Sequence, residues 1–187
     1  MATEAEDAFM YFDLTAGVRI EGEARDERTT FTGEETMWQR YAFQIQSVGY
    51  SVTNKTNIGK AAGTDTGSGG GGENTDAGKV TFEKVVIKKM CDQSTPNLML
   101  ACAKGEKFKW AKIELRRNYK TYMIITLEDC IISKAGVEQS GDEEATDTIE
   151  IDYARIVVEY SSQGEDGDFW ISHRAGWDRE IGKYYDI

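Results

Sequence analysis

The sequence predicts a mainly β domain, a barrel or tightly wrapped sandwich, and three observations predict it. Stretches rich in Val, Ile, Phe and Tyr alternate apolar and polar residues with period two along most of the chain, the pattern of strands with one face buried. Only one stretch, 94–105, replaces that alternation with helical spacing. One long segment, 54–78, is rich in glycine and has almost nothing to bury.

Near the start, Met10, Phe12 and Leu14 share one face, and the short segment around Val18 and Ile20 continues that strand or pairs with it. In YAFQIQSVGYSV, Tyr41, Phe43 and Ile45 share a parity while Val48, Tyr50 and Val52 take the other, so a bulge near Ser47 or Gly49 is expected to turn both sets inward. Further strands are read at 79–90, 110–117, 121–133 and 148–160, with a last strand or tail at 168–187. Asn118, Tyr119 and Lys120 leave room only for a hairpin between two of them. In STPNLMLACAKG, Thr95 is placed as the cap and Pro96 at the first helical position, where its missing amide costs nothing. Leu98 and Cys102 lie one turn apart, and Gly105 supplies a left-handed end. So short a helix must cover an open part of the sheet.

The segment Asn54–Gly78 is 25 residues long and contains eight glycines, with Ile58 its only large aliphatic residue. Its length exceeds an ordinary connection, so something outside the subunit is expected to order it, or it stays disordered. The acidic stretch 136–147 reads as a solvated turn.

The chain has 187 residues, enough for a single domain, 1–187, with a core of its own. With 33 Asp and Glu against 22 Lys and Arg the formal charge is −11, which argues against a grip on nucleic acid or an anionic membrane. Residues 1–20 have no basic opening followed by an apolar run, and no apolar stretch is long enough to span a bilayer, so neither a signal peptide nor membrane insertion is expected. Cys91, Cys102 and Cys130 form no CxxC pair and read as reduced, small buried thiols. His173 is the only histidine and reads as a surface or edge residue.

Reaction chemistry is missing from the pattern. Gly67, Gly69 and Gly72 spell GxGxxG, but no strand precedes and no helix follows as a dinucleotide site requires. Gly59 and Lys60 lack the P-loop spacing. Asp65, Glu73 and Asp76 do not follow a calcium-loop spacing. No metal, no cofactor and no catalytic residue is expected, and the chain reads as a non-enzyme. Trp38, Trp110, Trp170 and Trp177 are dispersed without a basic track and read as packing residues. Arg116 and Arg117, near Lys112 and Lys120, read as intersubunit or surface ion-pairing groups.

One grouping is more specific. GKVTFEKVVIKKMCDQSTPNLMLACAKG, followed by AKIELRR and YMIITLEDCIIS, closely resembles the haemolysin-coregulated protein family, the ring-forming inner-tube component of bacterial type VI secretion systems. The likeness is densest over 78–133 and extends to the opening around Ala8–Arg28, the TIEIDYARIVVEY strand and the GWDRE ending at Gly176–Glu180.

The resemblance implies a closed two-sheet β-barrel with one short α-helix and a long glycine-rich loop, assembled as hexameric rings that stack inside a contractile sheath under a spike. It implies an inner-tube subunit that delivers effectors; the alternative is a secreted effector or effector-binding adaptor that keeps the tube fold. Asn54, Gly63, Gly67, Gly69, Gly70, Gly71, Gly72 and Gly78 would belong to a ring-stacking loop, and Pro96, Asn97, Leu98, Leu100 and Ala101 to a helix bordering the lumen. Partners would be further copies of the chain, sheath and spike components, and small secreted effectors. Such a protein would sit in the bacterial cytoplasm before firing and outside the cell afterwards.

Overall fold

A computed structural model describes residues 6–24, 41–54, 80–163 and 169–185 of the chain. In order these form β1 (Glu6–Phe12), β2 (Phe43–Gln44), β3 (Ser47–Gly49), β4 (Val52–Asn54), β5 (Val80–Phe82), β6 (Val85–Met90), helix α1 (Thr95–Lys104), β7 (Lys107–Arg117), β8 (Lys120–Glu138), β9 (Thr146–Gln163), β10 (Phe169–Asp178) and β11 (Lys183–Tyr184). The protein is mainly β with one short described helix; β7, β8 and β9 run longer than the pattern suggested, and the stretch read at 79–90 is divided into β5 and β6.

Strands β8 and β9 pair antiparallel along nearly their whole length, from Met123 opposite Tyr160 to Glu138 opposite Thr146. Along β8 the side chains in the main core are Ile125 and Leu127, then Cys130 and Ile132, so the inward parity slips by one at Asp129, whose φ is 47°. The facing strand slips at the same level, from Ile149, Ile151 and Tyr153 to Ile156, since Glu128 faces Arg155 and Cys130 faces Tyr153. A strand with period two keeps its apolar face inward through a sharp bend by such a slip.

The bend divides the other edge of β9. Its first part, Thr146 to Ile151, pairs with β6, and its later part, from Arg155 to Gln163, pairs with β10. On the far side of β8 the sheet continues through β7 and β1 to β2. The β7–β8 turn is a two-residue hairpin with Asn118 and Tyr119 at φ 49° and 65°, the left-handed pair that such a turn needs.

The bulge expected near Ser47 or Gly49 is not seen; instead the segment changes partner strand between Ile45 and Gln46. The Ile45 amide donates to the Ala8 carbonyl at 2.8 Å, extending the ladder on β1, and the next amide, of Gln46, donates to the Lys88 carbonyl at 2.7 Å, opening the ladder on β6. Phe43 and Ile45 are buried, but Val48 is half-buried and Tyr50 and Val52 are exposed. Of the second parity set Val48, on β3, packs against the core, whereas Tyr50 and Val52 do not, because the chain leaves the large sheet after Gly49 and forms a separate β4–β5 ribbon.

Strand β1 is buried on both faces. Met10 and Phe12 join the main core with Phe43, Phe108 and Ile113, while Phe9 and Tyr11 form a small second cluster with Ala24 and Ala42. Val18 and Ile20 reach the main core without forming a strand. Arg116, expected at the surface, is 2% exposed. Its guanidinium donates to Glu114 Oε2 at 3.1 Å and lies 5.0 Å from the Phe9 ring centre. The inward turn follows from pairing: Tyr11 and Thr121 donate to the same Glu114 carboxylate at 3.0 Å each, so the carboxylate provides a buried counter-charge.

All three cysteines are free; Cys130 is buried, and Cys91 and Cys102 are half-buried. Burial pushes the Cys130 thiol up to about 12. Thiol titration is expected to find three free groups after unfolding, with native Cys130 slower than an ordinary exposed thiol by on the order of a thousandfold at pH 8.

Candidate assembly site

Helix α1 begins one residue earlier than the pattern placed it. Ser94 is the N-cap, Thr95 opens the helix and Pro96 follows within the first turn. The Thr95 hydroxyl, expected to cap, instead donates to Asp147 Oδ2 at 2.6 Å. Gly105 ends the helix at φ 62°, its amide reaching the Ala101 and Cys102 carbonyls, as a left-handed C-terminal residue does.

Leu98 and Ala101 turn into the core, 1% and 0% exposed. Among the residues expected along a lumen these two face inward, Asn97 is half-buried, and Pro96 and Leu100 face outward. Pro96, Met99, Leu100 and Ala103 are all exposed, and their i, i+3, i+4, i+7 spacing makes the outer helix face apolar. Met99 is 57% exposed and Leu100 39%.

Beneath the helix N-terminus lies a polar cluster that the pattern did not reveal. Along β6, Val85 and Ile87 face the core, and Lys89 occupies the next inward position at 0% exposure. Its ammonium group donates to the Met90 carbonyl at 2.7 Å, Asp92 Oδ1 at 2.8 Å and Asp147 Oδ2 at 2.9 Å, so all three protons are used. Asp92 Oδ1 also accepts from the Ser94 amide and hydroxyl at 2.8 and 2.5 Å. Asp147 Oδ1 accepts from the Cys91 thiol at 3.3 Å; burial first, and then this carboxylate, raise the Cys91 pKa. One cation between two carboxylates leaves negative charge at the positive end of the helix, which favours it. Asp147, read as part of a solvated turn, is 3% exposed, because β8 and β9 extend further and shorten the turn.

Of the stacking-loop residues, Asn54 lies at the end of β4 and pairs with Val80 of β5. Gly63, Gly67, Gly69, Gly70, Gly71, Gly72 and Gly78 lie outside the described residues, as do Trp38, Asp65, Glu73 and Asp76. Trp110 meets Tyr11 edge-on at 5.8 Å and Trp177 stacks with Phe82 at 6.0 Å, both as packing residues. Among the described residues no group of three His, Cys, Asp or Glu side chains is placed to hold a metal ion.

The class these features define is a mainly β protein with a helix anchored over its core, an apolar outer helix face and a separate two-stranded ribbon. Residues 17–160, more than three quarters of the chain, match the family described as type VI secretion system effector, Hcp; the chain belongs to that family. Protein hcp1 of Pseudomonas aeruginosa is 38% identical over 94 residues, a stretch that covers 48% of this chain and 58% of that protein, so the alignment spans less than two thirds of its length. The fold is similar to that of a type six secretion system protein at TM-score 0.74 and 16% identity, covering 97% of this chain and all of the other. It is also similar to Hcp1 from Salmonella typhimurium at TM-score 0.67 and 20% identity, covering 97% of this chain and 99% of that one.

Leu98→Ala is expected to destabilise the chain by about 2 to 4 kcal/mol in urea unfolding, since the leucine is fully buried. Lys89→Ala leaves two carboxylates near the core without their cation, and about 3 to 5 kcal/mol of lost stability is expected by the same measurement.

Proposed function

We propose that the chain is a structural subunit of a type VI secretion inner tube, a non-enzyme that assembles into hexameric rings which stack to guide effectors. Family membership over residues 17–160 carries this reading. The subunit serves as a rigid wedge, and repeated heterologous contacts close a ring where the rotation returns to its start. Sheath contraction, rather than any group of this chain, supplies the work.

Closure of the sheet into a two-sheet barrel belongs to the same proposal. In its support, β1, β7, β8, β9, β6 and β3 pair in succession, and the short segment 43–49 joins β3 back to β2 and so to β1. The outward apolar face of Pro96, Met99, Leu100 and Ala103 borders the lumen in this reading and meets small secreted effectors there. The segment beyond Asn54, with Gly63, Gly67, Gly69 to Gly72 and Gly78, reaches the neighbouring ring, where glycine permits close backbone approach. The protein resides in the bacterial cytoplasm until the sheath contracts and leaves the cell with the tube.

Native mass spectrometry with light scattering is expected to give a closed homo-oligomer, and a stable monomer at micromolar concentration would overturn the reading. Deleting Gly67 to Gly72 is expected to spare the soluble ring while reducing tube formation by electron microscopy and secretion in the parent system; wild-type tubes from that deletion would remove the loop from stacking.

A further inference from the structure

The GWDRE ending does not touch the helix site, yet four of its residues have definite tasks. The Tyr185 amide donates to the Gly176 carbonyl at 3.0 Å, and the tail crosses so closely that a β-carbon at Gly176 would strike the Tyr185 carbonyl. Asp178 Oδ1 accepts from the amides of Glu180 and Ile181 at 2.8 and 3.0 Å, turning the chain towards β11. Arg179 donates to Asp152 Oδ1 at 2.7 Å and to the Tyr153 carbonyl, and its guanidinium lies 4.6 Å from the Tyr153 ring centre. Burial works against the Asp152 anion, but bonds from Arg179 and the Tyr153 amide outweigh it and hold the carboxyl below its ordinary range.

These contacts converge on two consecutive residues at the root of the ribbon. Trp177 stacks on Phe82, with centroids 6.0 Å apart and planes 22° apart. The Tyr153 hydroxyl, under Arg179, donates to the Glu83 carbonyl at 3.1 Å. The β4–β5 ribbon shares no ladder with the large sheet among the described residues, which give it three residue pairs, and a two-stranded ribbon needs packing against other elements to be stable. A groove of about 450 Å³ lies between its Val80 and Phe82 and the side chains of Trp177 and Arg179.

We propose that Phe82, Trp177 and Tyr153 form a seat that fixes the direction in which the ribbon leaves the subunit, and that a second copy of the chain, in the next ring, is the partner so addressed. The partner rests on the tube reading; the seat rests on the contacts alone. A ribbon already held in one direction loses less freedom on meeting a partner than one that must be oriented at contact. Trp177, Phe82 and Tyr153 are positioning residues, acting through the backbone they orient.

The test is hydrogen exchange on the purified chain, run with native mass spectrometry and electron microscopy on the same samples. Trp177→Ala is expected to speed exchange of the amides at 52–54 and 80–83 by about tenfold or more while the amides of β7 to β9 keep their rates, and Trp177→Phe to restore slow exchange. Ring mass is expected to stay unchanged while tube yield falls about tenfold with the alanine variant. Ribbon exchange equal to wild type overturns the seat, whatever the assemblies do. A loosened ribbon with undiminished tubes overturns the assigned partner. If Trp177→Ala loosens the large sheet as well, Phe82→Ala, changed on the ribbon side, must loosen the ribbon alone, and its failure to do so overturns the seat. Wild-type chain that forms no ring sinks the tube reading and the partner with it, and exchange still decides the seat.

Discussion

A strand with period two can serve one core only while it stays straight, and β8 and β9, at 19 and 18 residues, are too long to do so in a domain of this size. The shared slip at Asp129 and the facing stretch of β9 resolves that conflict, and the remaining architecture depends on it. Because both strands turn at one level, the edge of β9 serves β6 before the bend and β10 after it. The outer side of the bend is stapled by Arg155, which donates to Glu128 Oε2 at 2.8 Å and also to Asp129. Tyr185 brings the C-terminal tail to the same Glu128 oxygen at 2.9 Å. The bond from Glu128, opposed by partial burial, raises the Arg155 pKa. The parity change therefore sets which part of the β9 edge takes β6 and which takes β10, and the outer side of the bend is where the tail docks.

Much of this fold was legible, and what was hidden follows a rule. Alternation marked strands such as β6, which buries one face, and Pro96 and Gly105 marked the helix because they suit only its ends. The parity change from Ile125 and Leu127 to Cys130 and Ile132 was also in the sequence, but alternation does not say whether a change of parity bends a strand or ends it. The change of partner strand between Ile45 and Gln46 was read as a bulge near Ser47 or Gly49 for a related reason: consecutive amides there serve different strands, a long-range fact with no local signature. Val18 and Ile20 show the converse, since burial there requires no strand.

Charge misled most where burial was compensated at long range. Lys89 sits at an inward position of β6, and a lysine there looks like a break in the pattern until Asp147, 58 residues later, supplies its partner. Arg116 and Glu114 share the same property, each acceptable inside because of the other and of Tyr11 and Thr121. The family motif made the helix recognisable, but the orientation of its residues came from packing: Leu98 and Ala101 belong to the core, and the outward face is Pro96, Met99, Leu100 and Ala103.

The buried ion clusters also indicate how such a subunit divides its labour. Replacing a buried ion pair by apolar groups can stabilise a protein, so the pair is weak support for stability as such. What Lys89 supplies is geometry: its three acceptors come from the end of β6, the approach to α1 and the start of β9, and they fit one ammonium group in one arrangement. The helix face is thereby set at a fixed angle to the strands. Among the described residues the ribbon meets the body through aromatic stacking, the packing of Phe82 against the core and the phenolic hydrogen bond of Tyr153 at its root, most of them weaker and less directional contacts. The helix, fixed by ionic hydrogen bonds of narrow geometry, therefore keeps one orientation on the sheet, whereas the ribbon is aimed by contacts that tolerate a wider range of geometry.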